Sequence, residues 1–446
     1  MSNESGSPRL TNCTFAANWA MSGGGISNGP GSPKLTKCKF VGNNSSWHGG
    51  GIYNADSISV MSCIFIGNTS QCGGGMYNEY YIPSSVLINC IFVGNSVKAG
   101  GGGIFNGLSD LILMNCTFVG NSAEDRGGGF YIPPLPIPSV SSSSTAYDGY
   151  SILKNCIFWD NLPEQIVNLG SGISVEYSNI QGGWRGFGNI NEDPCFVDKA
   201  NGDYHLKSQA GRWDPNSQSW GKDDVTSPCI DAGNPGCPVG DEPESNGNRR
   251  NMGAYGGTAE ASKSPPYWRS IADMTNDWIV DSSDLKVFVD YWLRTGECIP
   301  GDFDRNQFVD SNDFAIFGGQ WRQIGPGPGI AYDIGGCIPV DFPSSEVVEV
   351  EPTRFTVTVE GQYILFEDMM QANCCPEELD VQMTVEDDLI TIYEIERFFT
   401  RVPCPCICDY PITATLGPFE PGVYILEVYQ DAGFIGTTTV TIGPGG

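Results

Sequence analysis

One phrase recurs through the first 190 residues at a spacing of about 25, and a chain that repeats itself at such a period builds a solenoid or an array. Cys13, Cys38, Cys63, Cys90, Cys116 and Cys156 lie 25, 25, 27, 26 and 40 residues apart. Each opens the pattern Cys-x-Phe-x-x-Asn, with Phe15 and Asn18, Phe40 and Asn43, Phe65 and Asn68, Phe92 and Asn95, Phe118 and Asn121, and Phe158 and Asn161. After each of the first five cysteines comes a glycine triplet, starting at Gly23, Gly49, Gly73, Gly101 and Gly127 and followed by Ile26, Ile52, Met76, Ile104 and Phe130. Cys and Phe two apart fall on one side of a strand and can stack on their copies one repeat away. The Asn is expected to turn the chain through a left-handed conformation, and the triplet to turn it again where a Cβ would clash. Such a unit is too short for a helix plus two strands but suits one coil of a parallel β-helix, rising ~4.8 Å per coil. Leu-x-x-Leu-x-Leu is absent, and a propeller blade needs about 40 residues.

Charge excludes one class of partner. The 446 residues carry a net charge of −29, which repels phosphate backbones and argues against nucleic acid. Residues 1–190 hold 10 acidic and 8 basic side chains, and residues 191–446 hold the other 42 and 15. The second part is therefore the one that seeks cations. His48 and His205 are the only histidines, so His-centred metal sites and triads are not expected. No run of 18 apolar residues exists to span a membrane. Seventeen cysteines fit an extracellular or cell-surface address, although no signal peptide precedes the repeats, so the export signal is expected to be missing from this sequence.

Gly-Gly-Gly-Ile alternating with Phe-x-x-Asn, over residues 10 to about 180, resembles the repeats of polymorphic outer-membrane proteins and related bacterial surface β-helices. The resemblance implies a right-handed parallel β-helix displayed outside the cell. The expected fold is mainly β, with repeats over 1–190. An irregular C-terminal cap follows over 191–260, containing Asp193-Pro-Cys-Phe-Val-Asp198 and Ser227-Pro-Cys-Ile-Asp-Ala-Gly233, and is similar to the closing segments of large secreted β-helix proteins. Residues 261–269 read as a linker, 270–325 as a small α domain, and 337–446, alternating in period two, as an acidic Cys-containing β-sandwich. Cys229 with Cys237, and Cys298 with Cys337, are candidate disulfides. The cluster Cys374, Cys375, Cys404, Cys406 and Cys408 is compatible with disulfides, a metal or free thiols. Residues 133–144 form a Pro- and Ser-rich excursion, either a tolerated insertion or a binding loop.

Parallel β-helices often carry polysaccharide lyases and hydrolases, whose chemistry needs clustered carboxylates. Here Asp56, Glu79, Asp110, Glu124, Asp160 and Glu176 do not recur at one repeat position. The reading is therefore a secreted or cell-surface, non-catalytic binding or adhesion protein. The alternative is a polysaccharide-active enzyme, lyase or glycoside hydrolase, delivered to an extracellular complex. Trp19 and Trp47 offer faces on which a sugar ring of a polysaccharide could stack, or simply pack the turns.

The strongest chemical signal is a pair of twelve-residue acidic loops starting 29 residues apart. Asp273, Thr275, Asp277, Ile279, Asp281 and Asp284 in the first, and Asp302, Asp304, Asn306, Phe308, Asp310 and Asp313 in the second, place oxygens at positions 1, 3, 5, 9 and 12, with a backbone carbonyl expected at position 7. That spacing lets one short loop surround a hard cation. An apolar helical stretch follows each loop. The duplication resembles a dockerin, although Trp278 and Gln307 stand where such loops usually carry glycine. The resemblance implies two bound Ca2+, folding that depends on them, and docking to a cohesin-like protein domain partly through Ser282, Ser283, Ser311 and Asn312. Calcium as a purely structural clip, and a solvated helix pair without metal, are the other readings.

Overall fold

The computed structural model describes residues 1–80, 82–134, 149–170, 172–266 and 268–321, and beyond them chiefly the strands between 329 and 443. It divides into two compact units, residues 1–323 and 324–446. The first unit opens as a parallel β-helix. Three seven-stranded parallel sheets and a fourth of five strands run along it, each strand pairing with its copies one coil away. Register is kept from coil to coil: Phe40 faces Phe65, Phe65 faces Phe92 and Phe92 faces Phe118.

The repeat explains the core. Cys38, Cys63, Cys90, Cys116 and Cys156 are buried beside Phe40, Phe65, Phe92, Phe118 and Phe158. Successive phenyl rings lie 4.4–5.0 Å apart and within 7° of parallel, from Phe15 to Phe158. The cysteines stay reduced, each thiol donating to a backbone carbonyl, as Cys63 does to Met61 at 3.3 Å. The third glycine of the triplet lies under this stack. A Cβ at Gly75 would sit 2.6 Å from the Phe92 ring and 2.7 Å from the Gly103 carbonyl.

The repeated Asn does not take the left-handed turn. Its predecessor does, with Ala17, Gly42, Gly67, Gly94, Gly120 and Asp160 at φ between 53° and 62°. The Asn side chain points inward instead and forms a buried amide ladder. Asn68 donates through Nδ2 to Phe40 O and to Asn95 Oδ1, both at 2.9 Å, and its backbone N–H donates to the same Oδ1 at 3.0 Å. Asn43, Asn95 and Asn121 repeat this set. A second ladder, unseen in the sequence, runs Asn3, Asn28, Asn54, Asn78 and Asn106, with Nδ2 to Oδ1 distances of 2.7–3.3 Å.

The closing segment lies along the flank of the helix rather than only across its end. The carbonyls of Asn251, Gly253, Ala254 and Gly256 accept from Asn115 and Asn89, residues at a left-handed corner of earlier coils. Tyr204 and Ala254 pack on Ile91 and Val119, so this segment dries the outer side of the Phe-bearing sheet. His205 is buried, with Nδ1 2.6 Å from Asp203 and its ring stacked on Tyr255. Residues 261–269 are threaded through this packing instead of spanning solvent: Ser262 donates to Leu206 O and Ser264 to Asp231, both at 2.6 Å. The disulfide joins Cys237 to Cys298, so neither expected pairing forms, and Cys229 is a buried thiol accepting from Asn179.

The second unit holds a five-stranded and a four-stranded sheet, with antiparallel pairing except where Leu389–Arg397 meets Gly422–Gln430. Cys337, Cys374, Cys375, Cys404 and Cys406, the side chain of Cys408 and residues 135–148 lie outside the described residues. Among the described residues no helix is long and apolar enough to cross a membrane.

Two expected outcomes test this packing. Asn95→Ala strands the Asn68 N–H, removes the side-chain donor to the Phe65 carbonyl and deletes the Nδ2 bonds above and below, at ~1–3 kcal/mol for each group left unpaired, so urea unfolding should show a loss of at least ~3 kcal/mol. Exposed Lys39→Ala should stay within ~0.5 kcal/mol. In the closing segment, burial pushes Asp231 up to about 7 and Glu242 up to about 8. The folded state thus holds protons that the unfolded chain releases near pH ~4, and this stability disappears as pH rises through 7 to 8. The urea midpoint should fall between pH 5 and 8.5, and Asp231→Asn should flatten that fall.

Candidate functional site

The acidic loops fold as two copies of one local structure. Asp281 caps Ser282–Asp290 (α1) and Asp310 caps Ser311–Gly319 (α2), each accepting from a backbone N–H two residues on, at 2.6 and 2.7 Å. Asp284 and Asp313 close the reciprocal half of each capping box at 2.9 Å. The fourth and sixth loop positions are left-handed in both copies: Asn276, Trp278, Arg305 and Gln307 have φ of 64°, 76°, 58° and 72°. Trp278 and Gln307 therefore adopt the conformation for which glycine is usual, at a cost of about 1–3 kcal/mol each. Val280 and Val309, at the eighth positions, anchor both loops in one apolar cluster with Val287, Phe288, Phe303 and Phe317.

Three carboxylates converge in each loop. Asp273, Asp277 and Asp284 bring oxygens within 4.8 Å of one another, as do Asp302, Asp304 and Asp313. Asp273, Asp284, Asp302 and Asp313 are buried, Asp277 and Asp304 exposed. Burial pushes Asp284 up to about 6 and raises Asp277 and Asp302, with the neighbouring carboxylates adding to the rise. The remaining sequence-predicted ligands are otherwise engaged. Thr275 donates its hydroxyl to Asp284 at 3.0 Å, Asn306 bonds Asp304 and the Phe308 N–H, and Asp281 and Asp310 cap their helices. Ile279 presents an exposed side chain and Phe308 a half-buried one, so at these positions only the carbonyl remains to serve as a ligand. Ser282, Ser283, Ser311 and Asn312 are exposed on the first turns of the helices.

The copies differ in their counter-charges. Arg269, fully buried, donates Nη1 to Asp273 Oδ2 at 2.9 Å and lies 3.6 Å over the Trp278 ring. Arg249, also buried, donates to Asp273 O at 2.6 Å, Asn276 Oδ1 at 2.8 Å and Gly233 O at 2.7 Å. Asn276 in turn donates to Gly188 O and Ala232 O, tying the loop to the end of the β-helix. In the second loop Asp302 accepts only the N–H groups of Asn306 and Gln307 among the described residues, and Arg305 turns away to Asn248. Nothing in the spacing of the sequence announced the two arginines. Arg249 belongs to the closing segment and meets the loop only in the fold, whereas Arg269 stands four residues before Asp273.

Oxygen donors without sulfur or imidazole suit a hard cation. In the second loop no guanidinium bonds a carboxylate among the described residues, although Arg305 lies within electrostatic reach of Asp302; in the first, a guanidinium already satisfies one of the three carboxylates.

A protein-family model described as "Disaggregatase related" matches residues 141–233, which cover the last coils and the start of the closing segment. The match supports the β-helix assignment and does not reach the acidic loops. No curated protein and no solved structure matches the chain.

Arg269→Gln should leave the buried Asp273 carboxylate without its salt bridge, held only by the Asp277 and Trp278 N–H groups and the nearby Arg249 charge. A loss of about 3–5 kcal/mol in urea unfolding of the metal-free protein is expected.

Proposed function

We propose that this chain is a non-catalytic binding protein that works outside the cell, a β-helix carrying a calcium-dependent docking element. The observation that carries the reading is the duplicated loop, two clusters of carboxylates each set against the first turn of a capped helix. Each loop is assigned one Ca2+. The second binds more tightly, because no guanidinium bonds its carboxylates as Arg269 bonds Asp273, the Arg305 guanidinium being bonded to Asn248. Without the ions, buried Asp284 and Asp302 resist ionisation, so a dication relieves the cost that burial imposes.

The docking face lies on the same two helices. Ser282, Ser283, Ser311 and Asn312 are accompanied by exposed Val289 and Phe314 on the helices and by Trp292, Leu293 and Trp321 in the turns just past them, with the Trp292 and Phe314 rings 6.4 Å apart. Exposed aromatic side chains grouped beside polar ones favour a protein partner, and the dockerin resemblance suggests a cohesin-like one. The Cys237–Cys298 disulfide supports an oxidising, extracellular address.

Calorimetry on the full chain should show two calcium-binding events, and Asp302→Asn with Asp313→Asn should remove the tighter one. Calcium at a hundredfold excess over Kd should add about 2.7 kcal/mol per site to stability, reversed by EDTA. A panel of cohesin domains should capture the protein only with calcium, and Trp292→Ala with Phe314→Ala should abolish capture. Pectin, alginate and mannan should yield no unsaturated or reducing ends. Absence of calcium heat together with an unchanged melting temperature in EDTA would remove the proposal.

A further inference from the structure

The fourth, five-stranded sheet of the β-helix carries a feature that the calcium loops do not use. Its strands are Trp19–Ser22, Asn44–His48, Thr69–Ser70, Ser96–Val97 and Ser122–Ala123. Register places Trp19, Asn44, Thr69, Ser96 and Ser122 in one column, one residue per coil. Along this column runs a groove of about 510 Å³, whose lining also includes Ser46 and Gln71.

The side chains of Asn44, Ser46, Thr69, Gln71, Ser96 and Ser122 make no hydrogen bond to any described residue. Elsewhere the repeats pair their amides coil to coil, so a row of unpaired donors and acceptors here is a departure from the rule of the fold. Each polar side chain sits one rung from the next, ~4.8 Å away, and the four rungs from Asn44 to Ser122 span about 14 Å. Trp19, 69 % exposed, extends the column by one coil beyond the groove's lining, and Trp47, 55 % exposed, follows the lining residue Ser46 on the same strand.

We propose that this groove binds an extended, uncharged polysaccharide. Regularly spaced hydroxyl and amide groups match a polymer that offers hydroxyls at regular intervals, and the exposed indoles supply apolar faces for the C–H side of a sugar ring. An anionic polymer has no field to follow, because the only charged side chains of the lining, Lys98 and Glu124, are opposite in sign and on neighbouring coils. A peptide strand is disfavoured as well. The backbone along the groove is already paired in the parallel ladder, leaving no edge for strand addition except at the sheet's ends. This site is independent of the calcium loops.

The test is titration of the full chain, in calcium and in EDTA, with cellohexaose, mannohexaose, xylohexaose and hexagalacturonate, followed by tryptophan fluorescence and calorimetry. At least one neutral hexasaccharide should bind equally in both buffers and more tightly than its disaccharide. Trp19→Ala should weaken binding about tenfold, the equivalent of ~1.4 kcal/mol. Ser96→Arg should abolish it by filling the groove, and exposed Asn44→Lys gives the same readout should Ser96→Arg not fold. Lack of binding by all three neutral hexasaccharides, unchanged affinity in a folded groove variant, or a preference for hexagalacturonate would each overturn the proposal. Loss of binding in EDTA would overturn the independence from calcium.

Discussion

The fold depends on a buried amide that is both donor and acceptor. In a parallel β-helix the backbone ladder alone tolerates sliding of one coil on the next, because every rung presents the same N–H and C=O pattern. A buried side-chain amide does not tolerate it. Asn68, Asn95 and Asn121 each donate to the next coil through the backbone N–H and Nδ2, accept from the preceding coil at Oδ1 and donate to that coil's phenylalanine carbonyl, so a slip by one residue would strand several polar groups in an apolar interior. The phenylalanine stack then follows, since a fixed register puts each ring on its copy. Glycines beneath the rings are a consequence of that stack.

A ladder has two ends and an outer surface, and the rest of the first unit deals with them. Asn161 closes the amide row on Gln165 instead of another Asn. The closing segment covers the outer side of the Phe-bearing sheet. Two buried arginines, Arg249 and Arg269, then fasten the first acidic loop to it through backbone carbonyls, an amide and one carboxylate, and Arg305 of the second loop bonds Asn248.

Much of this was legible in the sequence, for a physical reason. Cys-x-Phe and the glycine triplet report local requirements, side-chain size and backbone freedom, which a single coil already imposes. The ligand spacing of the loops is likewise local, and carboxylates at positions 1, 5 and 12 of the first loop and 1, 3 and 12 of the second do converge. What failed was non-local. Asn after Phe-x-x reads as a turn residue in isolation and becomes a ladder residue only when another coil lies beside it. The Asn28, Asn54, Asn78 and Asn106 row carries the same lesson. Cys237 pairs with Cys298 across 61 residues, a choice that spacing cannot make, and the linker reading of 261–269 failed because burial there comes from partners as distant as Leu206.

The central claim is that the paired loops are ion sites and not merely charged helix caps. Crystals grown with calcium, with data collected where calcium scatters anomalously, would test it directly. The expected result is an anomalous peak enclosed by Asp302, Asp304 and Asp313, and a weaker one by Asp273, Asp277 and Asp284, each with oxygens at about 2.3–2.6 Å. Two loops without anomalous density, their carboxylates bonded only to backbone N–H groups and water, would contradict the account.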